Sequence, residues 1–116
     1  MPTPPGPYSP GVTSGEWIFL SGQGGFDPDT GKVVSDDLVA QTEQTFTNIE
    51  TVLAAADASL DDVVSCLVHL VDLADFPAFN AVYARKFTGV KPVRTTVRAD
   101  LVAGLRVEIT VIARAS

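Results

Sequence analysis

The sequence predicts an α+β fold in which a mixed β-sheet carries two helices on one of its faces. Three observations predict it. Two stretches near the C-terminus, Pro92 to Val97 and Val107 to Ala113, alternate with the period of a strand. Two others, from Ser35 to about Ala56 and from Asp75 to Gly89, carry apolar stripes at helical spacing. Strand-like runs stand before, between and after these helices, in the order β(β)–α–β–α–β–β. A length of 116 residues suits a single domain, residues 1–116, around one core.

Residues 1–11 hold Pro2, Pro4, Pro5, Pro7 and Pro10 around Gly6 and Tyr8, a density that favours an extended arm over a helix. Tyr8 either packs this arm onto the body or overhangs a pocket. Glu16 to Ser21 reads as a strand from its aromatic and β-branched content. Trp17, Phe19 and Ser21 share one face, Ile18 and Leu20 the other, so the strand is expected to be covered twice, by helices and by another subunit. Gly22 to Lys32 is a long loop. It is not a P-loop, because Gly25 and Gly31 are one residue too far apart and Val33 follows the lysine. Nor is it a calcium loop, since Leu38 stands where the last glutamate belongs. Asp27 to Gly31 reads as a turn, whereas Gly22 after Ser21 lets a backbone N–H come close to a ligand.

Ser35-Asp36-Asp37 caps the first helix, whose inner stripe is Leu38, Thr42, Phe46, Ile49, Val52, Leu53 and Ala56. Val63 to Val71 is a continuous apolar run, expected as a central strand. Cys66 and His69 fall on its opposite faces, so they cannot form a local Cys–His dyad. The second helix has Pro77 in its permissive first turn, a core stripe of Phe76, Phe79, Val82, Tyr83 and Phe87, and Gly89 to close it. Asn80 lies at the edge of that stripe. In the strands that follow, Val93, Thr95 and Val97 oppose Arg94, Thr96 and Arg98, and Val107, Ile109 and Val111 oppose Glu108, Thr110 and Ile112. If these two strands pair, Arg94 and Glu108 can share one sheet face, as a site or as a cross-strand salt bridge.

Hydrophobic residues make up 46% of the chain, more than so small a sphere can hide, so an oligomer closed over the helix-free sheet face is expected. No apolar run approaches the roughly 20 residues of a membrane span. The start Met-Pro-Thr-Pro-Pro lacks the basic and apolar regions of a signal peptide, which predicts a cytoplasmic protein. One cysteine and one histidine argue against a disulfide framework and a Cys/His metal cluster. Net charge is −6, yet six of the eight bases fall between Arg85 and Arg106. Overall acidity disfavours a nucleic-acid partner. A basic patch in an acidic body suits a small anion, or is an ordinary solvated surface.

Several segments together resemble one family. Gly6-Pro7-Tyr8-Ser9-Pro10-Gly11, Leu20-Ser21-Gly22-Gln23, Asn80-Ala81-Val82-Tyr83, Pro92-Val93-Arg94-Thr95 and Val107-Glu108-Ile109 stand in the order and spacing of the reactive-intermediate deaminases (RidA/YjgF, also called endoribonuclease L-PSP). The resemblance covers nearly the whole chain. It implies a chorismate-mutase-like fold and a homotrimer with clefts between subunits. It also implies hydrolysis of 2-imino acids, tautomers of enamines and of the 2-iminopropanoate or 2-iminobutanoate type, to 2-keto acids and ammonia. By position, Arg94 would clamp the substrate carboxylate and Glu108 would orient water. Ser21 and Gly22 would line the pocket, Tyr8 would cover it, and Asn80 would stand near it. Thr96 takes the place of a cysteine typical of the imine-deaminase branch, where the backbone is expected to help bind the substrate nitrogen.

Arginine's planar fork matches a carboxylate bidentately. An imine carbon is already electrophilic, so anchoring the acid and placing a water suffice, with no metal or organic cofactor. The alternative reading is a non-catalytic binder of small carboxylates on the same scaffold. A ribonuclease is disfavoured by net charge and by the lack of a basic stripe with stacking aromatics.

Overall fold

A computed structural model describes Gly6 and residues 8–115; the reading of an extended arm at residues 1–5 and Pro7 lies outside them. The elements are β1 (Gly11–Ser14), β2 (Trp17–Leu20), β3 (Gln23–Gly24), α1 (Leu38–Ala54), β4 (Val63–Leu70), α2 (Phe76–Lys86), β5 (Val93–Arg98) and β6 (Val107–Arg114). The sheet runs β1-β2-β6-β4-β5, with β3 pairing the early part of β6. β4 and β5 pair in parallel across α2, and the other pairings are antiparallel. The sheet is therefore mixed and both helices pack on one face. The optional first strand exists as a hairpin arm: Gly15, at φ 59, turns the chain so that Gly11–Ser14 pairs with Trp17–Leu20.

Period 2 decides what each strand buries. Val107, Ile109, Val111 and Ala113 of β6 and Cys66, Val68 and Leu70 of β4 point under the helices and are buried. They meet Leu38, Phe46, Ile49 and Leu53 of α1 and Phe79 and Val82 of α2 in one core. The opposite sheet face leaves Trp17, Phe19, Leu67, Val93 and Val97 between 38% and 71% exposed. That apolar face has no helix of the described residues over it. No helix of the described residues is long and apolar enough to cross a membrane.

Both helices end sooner than their stripes suggest. α1 stops at Ala54, where the Ala56 and Ala58 N–H groups fold back onto Leu53 O and Asp57 adopts φ 58. α2 stops at Lys86, so Gly89 does not close it. Phe87 turns extended to bury its ring against Phe46 and Tyr83 (centroids 5.8 and 4.9 Å), and Lys91 Nζ donates to its carbonyl at 2.8 Å. An aromatic anchor, rather than a glycine, ends this helix.

A larger correction concerns β5 and β6. They do not pair, because β4 lies between them. Arg94 is opposite Cys66 in β4 and so faces the helices, while Glu108 is opposite His69 and faces away from them. The valines of β5 form its outward face, with Val93 71% exposed. The shared face and the cross-strand salt bridge are both ruled out by this topology.

Gln41 ties the ends of the fold together. Its fully buried amide donates to Ser35 O (2.8 Å) and Gly104 O (3.3 Å) and accepts from the Arg106 N–H (2.7 Å). Arg106 then grips the Asp75 carboxylate through Nη2 (2.9 and 3.1 Å) and the Asp36 carbonyl through Nη1. Gln41→Leu, which keeps the volume but strands three polar groups, is expected to lower unfolding free energy by about 3 kcal/mol in urea denaturation. A loss below about 1 kcal/mol would show that these groups find water instead.

Candidate active site

Two groups of predicted site residues emerge, on opposite sides of the sheet. The first lies at the β5 edge under α2. The Arg94 guanidinium sits over the rings of Tyr83 (4.7 Å to the centroid), Phe76 (5.4 Å) and Phe79 (5.9 Å). Its Nη1 donates to Asn80 Oδ1 at 2.8 Å. No carboxylate pairs with it among the described residues; the other ion pairs use Arg85, Lys86, Arg106, Arg114 and His69. Aromatic faces attract a cation without neutralising it, so the half-buried Arg94 keeps its charge and most of its donors. Thr96, two residues on, faces the same way; its Oγ1 is buried without a hydrogen-bond partner among the described residues.

Behind Arg94 lie Cys66 and Tyr83. Burial pushes the Cys66 thiol above its ordinary value, against the opposing pull of the Tyr83 hydroxyl and the Arg94 charge. Burial pushes the Tyr83 hydroxyl up as well, with Cys66 adding to the shift and Arg94 opposing it. Both groups are thus held neutral at the edge of a cationic site, and the thiol is not an activated nucleophile.

The second group is on the helix-free face. Gly22 follows β2, and a Cβ built on it would stand 2.5 Å from Glu108 Oε1 and 2.7 Å from Cδ. Glycine lets the carboxylate lie against the backbone there; a larger residue would make the Glu108 side chain shift. Ser21 Oγ donates to Ser9 O at 2.7 Å and Ser21 N to Pro10 O at 2.9 Å, pinning the N-terminal segment beside Gly22. Tyr8 is 50% exposed at the head of that segment. On the other side of Glu108 stands His69, its Nδ1 4.0 Å from Oε1.

A model of the family described as endoribonuclease L-PSP matches residues 1–115. The RutC family protein SSO3206 of Saccharolobus solfataricus is 45% identical over 99% of this chain and 92% of its own. A 2-iminobutanoate/2-iminopropanoate deaminase of Capra hircus is 41% identical, covering 93% of this chain and 80% of its own. The crystal structure of RidA from an Antarctic Psychrobacter superposes with a TM-score of 0.93 at 39% identity, over 97% of this chain and 92% of that one. The chain belongs to the endoribonuclease L-PSP (RidA/YjgF) family.

Within this L-PSP chain the structure brings Asn80, Arg94 and Thr96 together, and separately Gly22 and Glu108 with Ser21 nearby. It does not join the two groups. From the register, Arg94 and Glu108 are two strands and three residues apart, roughly 14 Å along the sheet before their side chains diverge. Sequence reasoning missed two participants. The aromatic bed of Arg94 is made of residues assigned only to the core, and nothing in a helical stripe marks which members will meet a strand arginine. His69 enters the sequence reading only as one half of an impossible dyad with Cys66, because alternation within one strand does not say that its outer face meets Glu108. A solvent-open groove of about 550 Å³ elsewhere, bordered by Glu50, Ala54 and Asp61, contains none of these residues.

The raised Cys66 and Tyr83 values fix a sign. A group whose acid form the fold favours stabilises the fold at low pH and withdraws that support once the unfolded chain ionises first. Stability is therefore expected to fall as pH rises through the unperturbed values of 9.0 and 10.0. In urea denaturation series from about pH 7 to about pH 10.5, Cys66→Ala should show a shallower alkaline decline than wild type. Equal slopes would refute the assignment.

Proposed function

We propose that this protein hydrolyses small 2-imino acids to 2-keto acids and ammonia, in clefts that form where copies of the chain meet. The observation that carries this reading is Arg94: a half-buried guanidinium, oriented by three rings and Asn80, with no carboxylate of the described residues spending its charge. Such a group is suited to grip both oxygens of a small carboxylate. The deaminase name of the goat relative supports the chemistry. A net charge of −6 supports a small anion over a polyanion such as RNA.

Arg94 anchors the acid while Glu108 holds a water against the imine carbon. The substrate reacts as its protonated imine, whose nitrogen carries two hydrogens: the water oxygen bonds to C2 as Glu108 accepts one of its protons. The C=N π electrons move to nitrogen, giving a neutral carbinolamine. Glu108 returns the proton to that nitrogen as an ammonium, the C–N bond breaks as the hydroxyl oxygen forms the C=O bond, ammonia leaves, and Glu108 passes the hydroxyl proton to solvent to leave the ketone. The electrophile is reactive before it binds, so holding acid and water in register contributes most of the acceleration.

The opposite facing of Arg94 and Glu108 supports shared sites. Roughly 14 Å separates them along one sheet, farther than a small imino acid reaches, and their side chains point apart. The uncovered apolar face bearing Trp17, Phe19 and Leu67 offers the contact surface through which a homotrimer would bring one copy's β5 edge to another's Glu108.

Arg94→Ala is expected to abolish keto acid release from imines generated by an amino-acid oxidase, with assembly intact on gel filtration. Arg94→Lys should lose most of the activity because the fork is gone. Unchanged turnover in Arg94→Ala would discard the assignment. Arg94→Ala and Glu108→Gln chains, each inactive, should regain about a quarter of wild-type activity when co-assembled, since random mixing rebuilds that share of intact shared sites. No recovery would place both residues in one chain's site.

The Thr96 substitution favours a second reading, a carboxylate binder without turnover. Calorimetry showing a stoichiometric keto acid complex, with no ammonia released from freshly generated imine, would select it.

A further inference from the structure

Glu108 is flanked on two sides. Gly22 closes one, where any Cβ would overlap the carboxylate. His69 closes the other, as its direct register partner on β4, with both side chains on the helix-free face. The imidazole is 23% exposed and the Glu108 side chain 30%, so neither is freely solvated. His69 Nδ1 itself is buried and has no hydrogen-bond partner among the described residues. Buried polar nitrogens are rarely left so. On the β5 side the register places Val97 beside His69, and along β4 its same-face neighbour is Leu67. Glu108 is thus the one ionisable group set against it among these neighbouring strand positions.

We propose that His69 is the positioning residue for Glu108, donating the Nδ1 proton to the carboxylate and so fixing the oxygen that faces the water. The inference rests on the reading of Glu108 given above. The 4.0 Å separation of Nδ1 and Oε1 is about 1 Å longer than a hydrogen bond. A small rotation of the Glu108 side chain closes it. The contact requires the neutral ring to carry its proton on Nδ1. Which nitrogen is protonated follows from the partner each one finds, and here Glu108 is the acceptor at hand. A hydrogen bond on one carboxylate oxygen leaves the other to take the water proton, in one orientation rather than several.

The chain has a single histidine, so its imidazole nitrogens can be read without assignment in a ¹⁵N spectrum of the whole assembled protein. At neutral pH the wild-type ring is expected to carry its proton on Nδ1, and Glu108→Ala should move it to Nε2. His69→Phe keeps a ring of similar volume but loses the donor; it should lower kcat about tenfold with KM little changed, since Arg94 still binds the acid. His69→Asn, which restores an N–H near the Nδ1 position without the ring, should recover most of that loss. A role in packing alone predicts the reverse, with phenylalanine active and asparagine impaired. A wild-type ring protonated on Nε2, or wild-type kcat in His69→Phe while Glu108→Gln is inactive, would overturn the proposal. If Glu108→Gln keeps full activity, the reading of Glu108 as the water-holding group fails, and the spectrum still decides whether His69 bonds to it. Should His69→Phe fail to assemble, the tautomer decides alone.

Discussion

The placement of β4 between β5 and β6 is the constraint on which the rest of this structure depends. Side chains on a strand alternate, and register partners on neighbouring strands share a face. Once Cys66 is buried beneath the helices, Arg94 beside it must face the helices too. Once Ile109 and Val107 are buried, Glu108 must face the other way. The core thus fixes the facing of both charges, and moving either one would require a register slip that exposes an entire strand's apolar set.

The environment of Arg94 shows how a charge can be oriented yet left available. Arg106 and Arg114 are also held, but by carboxylates: Asp75 for the first and Glu16 for the second. Those pairs join elements of the fold and leave little field for a ligand. Around Arg94 the chain supplies ring faces and one amide oxygen instead. Rings exclude water from the guanidinium's flanks, which strengthens any ion pair it later makes, while leaving its hydrogen-bonding edge without an anion. The same rings fill the core under α2, so orienting the arginine and packing the helix use the same residues.

Much of this was legible in the chain itself. Helical stripes predicted both helices and most of their buried residues, because burial of one helix face obeys a single period. Alternation predicted correctly that Arg94 and Thr96 share a face, and that Cys66 and His69 do not. It could not say which face of β5 would meet the core. Val93, Thr95 and Val97 look like the inner set by hydropathy, yet a parallel edge strand with an arginine cradled by aromatic rings turns them outward. Strand order was also out of reach, since alternation inside β5 and β6 carries no information about what lies between them. Helix ends failed for a related reason: Phe87 belongs to the core stripe by spacing, but its ring is buried by leaving the helix. Of the candidate site, the chain offered the residues to consider but not their division between two surfaces.

That division has a consequence for how such a protein would be governed in a cell. Under the function proposed above, a chain bearing its anion grip and its carboxylate on opposite surfaces would have no complete reaction centre while it is alone. Dilution would then silence it without any change of conformation, inhibitor or modification. Output would rise more steeply than the number of chains made, and newly synthesised copies would stay dormant until they found company.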